Sequence, residues 1–144
     1  MKRILVVAIA VGVVGMIVAA CGGGPHPLGV GDAAVILQDV NGVCSKPTSV
    51  GQVKGHKGAA VSWVIQNNCA EGTFVTLRDF TAATPGNNTK YPLDSYEAVW
   101  IDANSNKTIK GKLRDHADPD TYHFYFYLDE RKQTGDPDIV IDNF

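Results

Sequence analysis

Sulfur is scarce in this 144-residue chain, which has two methionines and three cysteines. Both methionines, Met1 and Met16, fall in the first twenty residues, so no thioether is available downstream. No Cys-x-x-Cys pair occurs, and the four histidines (His26, His56, His116 and His123) show neither i, i+2 nor i, i+4 spacing. The usual zinc-site signatures are therefore absent. So are the Gly-x-Ser-x-Gly elbow, the His-Glu-x-x-His motif and the phosphate-binding loop, and no catalytic activity is expected. A small hydrolase would need polar residues from distant loops to converge in a pocket. No repeat period, heptad pattern or block of like charge appears. Thirteen basic residues face fifteen acidic ones, a net charge of −2, which gives nucleic acid no electrostatic footprint to bind.

What the chain does have begins at its N-terminus. Lys2 and Arg3 precede an apolar and glycine run from Ile4 to Ala20, followed by Val18-Ala19-Ala20-Cys21 at its end. A basic start, an apolar stretch and small residues before the cut form a secretory signal peptide. The run is at the short limit for a membrane span and lacks a basic stop-transfer flank, because Gly22-Gly23-Gly24-Pro25 follows directly. Its cysteine ending resembles the lipobox of bacterial lipoproteins. That resemblance implies cleavage before Cys21 and acylation of Cys21 (palmitate among the chains), with membrane lipid as the first partner. One acyl chain anchors only marginally, whereas the two or three of this class hold firmly. Gly22 is not the aspartate of an inner-membrane retention signal, which favours the outer membrane in a two-membrane cell. The expected location is the cell envelope, on the periplasmic or extracellular face.

Three segments follow: signal peptide 1–20, lipidated N-terminus and flexible tether 21–32, and one folded domain 33–144. Removing residues 1–20 leaves 124 residues and takes Lys2 and Arg3 away, so the mature chain carries 11 basic and 15 acidic groups. That length supports a single core. Cys44 and Cys69 remain as an even pair in an oxidising compartment, where a disulfide is favoured over two free thiols or half a metal site.

Beyond the tether the pattern is β. Strands are expected at Ala34–Val40, ending in the Asn41-Gly42 turn, at Val50–Val53, at Ala59–Asn67 and at Thr73–Phe80. Val61, Trp63 and Ile65 share one face of the third. Tyr91–Tyr96 reads as a helical turn, and Glu97–Ala103 with Thr108–Arg114 as a hairpin joined through Asn104-Ser105-Asn106. Tyr122–Leu128 alternates most cleanly, directing Phe124, Phe126 and Leu128 to the core and His123, Tyr125 and Tyr127 outward. Asp138–Asp142 closes the domain with Ile139 and Ile141 inward. About 7–8 short strands with turns between them imply an all-β sandwich or barrel.

An immunoglobulin domain is excluded because Trp63 and Cys69 lie too close together. The segment Val53-Lys54-Gly55…Val61-Ser62-Trp63-Val64-Ile65-Gln66-Asn67-Asn68, with Phe74-Val75-Thr76-Leu77 after it, resembles the middle of cupredoxins. The tail Tyr122-x-Phe124-x-Phe126…Asp136-Pro137-Asp138-Ile139-Val140-Ile141 is similar to the closing hairpin of copper-free members of that superfamily. The resemblance implies a cupredoxin-like Greek-key β-sandwich. In cupredoxins the first copper histidine follows the tryptophan strand by a few residues, and Cys…His…Met come near the C-terminus. Here the corner Asn67-Asn68-Cys69-Ala70-Glu71-Gly72 has no histidine, and no cysteine follows Cys69. The expectation is therefore a copper-free binding or interaction module without a cofactor.

Several residues compete for a role. His116, His123, Asp118 and Asp120 could contribute to a non-standard metal or electron-transfer site, the alternative function. Asp115, Asp118 and Asp120 depart from the calcium-loop spacing, and aspartate and proline populate turns for backbone reasons. Tyr125 and Tyr127, with Tyr122 nearby, offer an aromatic surface for a small ligand or a second envelope protein, or simply pair across strands. Lys110, Lys112 and Arg114 form a cationic stripe that could dock an anion or blunt an edge strand. Gly55-His56-Lys57-Gly58 matches an RNA-loop spacing but reads as a turn.

Overall fold

In the computed structural model the described residues are 31–46, 50–135 and 137–143. Cys21, His26 and Asp136, with the expected signal peptide and nearly all of the expected tether, lie outside them. The described residues contain no helix; none is long and apolar enough to cross a membrane.

Eleven strands are present among the described residues. In order they are β1 (Asp32–Val40), β2 (Val43–Ser45), β3 (Val53–His56), β4 (Ala60–Asn67), β5 (Thr73–Ala82) and β6 (Leu93–Tyr96). Then come β7 (Val99–Ile101), β8 (Ser105–Leu113), β9 (Thr121–Leu128), β10 (Arg131–Lys132) and β11 (Asp138–Asp142). They build a sheet ordered β2-β1-β4-β8-β6 and a second ordered β3-β11-β9-β5-β7, with β10 added to β9. Two pairings are parallel, β1 with β4 and β11 with β3, so the chain crosses between sheets rather than meandering. The expected all-β sandwich is what forms, with more strands than the sequence pattern shows.

Alternation explains the core. Val61, Trp63 and Ile65 of β4, Val75 and Leu77 of β5, and Phe124, Phe126 and Leu128 of β9 are all buried between the sheets. Their rings interlock: Phe124 lies 5.5 Å from Trp63, 5.4 Å from Phe126 and 5.6 Å from Phe80, centroid to centroid. The Asn41-Gly42 turn closes β1 onto β2 with both residues at positive φ, 53° and 76°, as a two-residue hairpin requires.

Four expectations are corrected. Tyr91–Tyr96 is not a helical turn; Leu93–Tyr96 is edge strand β6 on β8. The Val50–Val53 strand begins at Val53 and runs to His56, carried by its parallel pairing with β11. Glu97–Ala103 and Thr108–Arg114 do not form a hairpin, because Val99–Ile101 pairs with β5 in one sheet while Ser105–Leu113 pairs with β4 in the other. The Asn104 turn (φ 53°) is thus a sheet-to-sheet crossing. Tyr122 is not part of an outer aromatic surface: it is fully buried, its hydroxyl donating to Asp118 O at 2.6 Å.

Candidate functional site

The corner after the tryptophan strand is closed by hydrogen bonds. Asn67, at the end of β4, is fully buried. Its Nδ2 group donates to the carbonyls of Glu71 (3.0 Å), Asp102 (3.1 Å) and Ile101 (3.2 Å), and its Oδ1 accepts from Cys69 N at 3.0 Å. One amide thereby satisfies the backbone of two loops. Cys69 is bonded to Cys44 with Cα atoms 5.5 Å apart, the expected disulfide, which ties this corner to β2.

Thr73 opens β5 next to that corner, and Asp129 follows β9 on the neighbouring strand. The Thr73 hydroxyl donates to Asp129 Oδ2 at 2.8 Å, Phe74 N donates to Asp129 Oδ1 at 2.8 Å, and Asp129 N returns a bond to Phe74 O at 2.9 Å. A single carboxylate therefore clamps the start of β5 to the end of β9, beside the corner where the resemblance would place the first copper histidine. The donors at this point are a hydroxyl and a carboxylate, and the sulfur alongside is in a disulfide. A blue-copper centre takes two imidazoles and a thiolate, so this donor set does not fit it.

The four metal candidates do not come together. Among the described residues no group of three His, Cys, Asp or Glu side chains is placed to hold an ion. His123 Nδ1 lies 2.6 Å from Asp138 Oδ1, a cross-strand pair between β9 and β11. Asp120 is a loop anchor: it accepts from Thr84 N and Oγ1, Asn87 Nδ2 and Thr121 N. Burial opposes ionisation of Asp120, yet the donors of Asn87, Thr121 and Thr84 hold its carboxyl below the usual range. Asp118 N donates to Thr89 Oγ1 at 3.3 Å, and His116 is exposed.

Tyr125 and Tyr127 do point outward from β9, but their faces are already covered. Lys132 Nζ sits 3.4 Å from the Tyr125 centroid and Arg78 Cζ 5.1 Å from that of Tyr127. Asp79 accepts from the Tyr127 hydroxyl (2.6 Å) and Lys132 (3.1 Å), while Arg78 forms a two-pronged bond to Glu130 at 2.5 and 2.7 Å. The Tyr127 hydroxyl and then Lys132 hold the Asp79 carboxyl low, and Arg78 does the same for Glu130. Asp79 sits at a bulge in β5 at φ 58°, which turns its carboxylate toward these partners. The sequence gives no sign of this network, because its members come from three strands and a turn.

Lys110, Lys112 and Arg114 lie on the far sheet. Lys112 meets Asp94 (3.8 Å) and Asp115 (3.5 Å), and Arg114 Nε meets Asp94 (3.7 Å) and donates to Leu93 O (3.2 Å). The stripe is therefore partly neutralised by acidic neighbours. Arg114 also borders a shallow groove of about 260 Å³ with Phe80, Tyr91, Leu93, Asp94 and Tyr96. Phe80 meets Tyr91 and Tyr96 edge to face there, and the Tyr96 hydroxyl donates to Leu77 O.

No family model and no curated protein matches the chain. Among solved structures it is similar to Lac15 from a marine microbial metagenome, at 10% identity and a TM-score of 0.40, over 79% of this chain and 32% of that one. It is also similar to a multicopper oxidase, at 11% identity and a TM-score of 0.38, over 77% of this chain and 41% of that one. A third is dithionite-reduced auracyanin from Roseiflexus castenholzii, at 9% identity and a TM-score of 0.37, over 81% of this chain and 99% of that one. The chain thus aligns with less than half the length of the first two proteins.

Proposed function

We propose that this chain is an extracytoplasmic lipoprotein, held on the membrane by acylated Cys21, whose cupredoxin-like sandwich is a binding or interaction module rather than an electron carrier or an enzyme. The tether 21–32 separates lipid from domain, and the domain itself carries no copper. The observation that supports this reading is the Thr73–Asp129 clamp. A carboxylate already satisfied by a hydroxyl and a backbone N–H is spent on holding two strand ends together. The Cys44–Cys69 disulfide removes both thiolates of the domain from ligand chemistry. The outer faces carry aromatic rings, paired charges and a shallow groove, which suit recognition of another molecule.

The test uses the full chain, produced with its leader and purified in detergent. Titration with Cu(II) under oxidising conditions gives no saturable one-to-one site and no intense visible band. Stoichiometric uptake that is lost on His123→Ala would instead establish the metal-binding alternative. The anchor is read separately: fatty-acid label enters the wild-type chain, and Cys21→Ala abolishes the label and leaves the membrane fraction.

A further inference from the structure

Six large apolar side chains are exposed among the described residues, and four of them, Val40, Val43, Phe74 and Trp100, gather at one end of the sandwich. Val40 and Val43 are partners across the β1–β2 hairpin, and Phe74 and Trp100 are partners across β5 and β7. Val43 lines a cleft of about 330 Å³ with Cys44, Glu71, Gly72, Asp129 and Arg131; Trp100 lies against Gly72 of that cleft and Phe74 N donates to its Asp129. Trp100 is the most exposed of the four, at 49%.

That indole is held rigidly. Its N–H donates to Asp102 Oδ1 at 2.9 Å. Its six-membered ring lies against Gly72, where an added Cβ would come within 2.5 Å of Cζ2. Beneath Phe74, the Asp129 clamp fixes the start of β5. A half-exposed tryptophan held in one orientation loses little entropy when something stacks on it, which is the property of an interface anchor.

The rim is acidic. Asp39, Glu71, Asp102 and Glu130 are exposed near the apolar centre; Asp39 accepts from Ala70 N, Asp102 from Trp100 and Glu130 from Arg78, while Arg131 is a cation in the cleft itself. An apolar centre with a carboxylate rim complements a basic segment, and tryptophan is the best ring for a guanidinium to cover. The same rim opposes an anionic lipid surface. Geometry agrees: β1 runs from Asp32, next to the tether, to Val40, a rise of about 26 Å over its length. The patch is thus at the end of the domain away from the tether. This orientation argument rests on the anchoring proposed above, whereas the surface chemistry does not.

We propose that the Val40–Val43–Phe74–Trp100 end is a docking surface for an arginine-bearing segment of a partner protein, with arginine stacked on Trp100 and paired with the carboxylates beside it.

The full chain in detergent is titrated by calorimetry, in chelator, with an eight-residue oligo-arginine peptide and with its oligo-glutamate counterpart. The oligo-arginine peptide binds saturably, weakens at least tenfold between low and physiological salt, and the glutamate peptide does not bind. Trp100→Ala reduces affinity at least tenfold and the double variant Glu71→Gln/Asp102→Asn by a similar factor, each with an unchanged far-ultraviolet spectrum. A second set of charge variants, Asp94→Asn/Asp115→Asn, leaves affinity as in wild type. Equal binding by Trp100→Ala overturns the proposal, since charge alone then accounts for it. Dimerisation abolished by Trp100→Ala, or attachment of the domain to anionic vesicles through this patch, assigns the surface to another occupant and also overturns it. Cys21→Ala alters none of these titrations, so a failure of the docking surface is distinguishable from a failure of the anchor.

Discussion

Replacing Asp129 by alanine should cost far more than its exposed position suggests, and the amount follows from its two bonds. Its carboxylate accepts from the Thr73 hydroxyl and from Phe74 N, both at 2.8 Å. Thr73 is 1% exposed, so its hydroxyl is left buried without its acceptor, a loss of about 1–3 kcal/mol. Phe74 N is near solvent and recovers a partner, so it adds less than 1 kcal/mol. Asp129 also sits at φ 44°, where alanine is disfavoured by about 1 kcal/mol relative to aspartate or asparagine. The expected loss for Asp129→Ala is about 3 kcal/mol. Asp129→Asn keeps an acceptor and tolerates the backbone, so it should lose only about 1 kcal/mol. Urea unfolding followed by tryptophan fluorescence reads both, and a domain of this size shifts its Tm by about 4 °C per kcal/mol. A double-mutant cycle with Thr73→Val isolates the clamp and should give a coupling above about 1 kcal/mol. Alanine and asparagine variants of equal stability, or a coupling near zero, would refute the assignment of Asp129 as the clamp.

Other perturbations follow from the same geometry. Reduction of Cys44–Cys69, or its replacement by serine at both positions, frees a loop with a sequence separation of 25 and should cost about 3.5 kcal/mol, read by melting with and without reductant. Thr76→Val should raise stability by about 1 kcal/mol, because the buried Thr76 hydroxyl has no hydrogen-bond partner among the described residues and a methyl fits its place; a loss of stability would show a partner there. Asp79 and Glu130 have lowered carboxyl pKa values in the folded state, so the stability they contribute is complete above their ordinary values of 3.8 and 4.5 and disappears as pH falls through the folded values. Tyr127→Phe removes the main cause of the Asp79 shift, and melts taken from pH 6 down to pH 2 should then show a shallower acid limb than wild type.

The sequence carries those parts of the fold that depend on local alternation. Phe124, Phe126 and Leu128 point inward because a period of two along Tyr122–Leu128 leaves no other choice, and the cysteine count leads to the disulfide by parity. Strand partners are another matter. Val99–Ile101 and Ser105–Leu113 have hairpin spacing, yet the Asn104 turn sends them to different sheets, since β7 takes its backbone hydrogen bonds from β5 and buries Ile101 in the core. Leu93–Tyr96 becomes a strand through a long-range pairing with β8 that no local pattern encodes. The clamp is illegible for the same reason: Asp129 and Phe74 are 55 residues apart, and aspartate after a strand ordinarily signals nothing more than a turn. Trp100 sits in the short apolar run Ala98–Ile101, where it reads as one more core residue, and only the cross-strand Phe74, together with Gly72 beneath it, marks it as a surface ring.

The most direct measurement is the metal content and visible spectrum of the full chain purified without chelator, with free thiols counted on the same sample. We expect no copper in stoichiometric amount, no intense visible absorption, and neither Cys44 nor Cys69 titrating as a thiol. One equivalent of copper with a strong blue band would contradict the account, because it would require a thiolate where the structure has a disulfide.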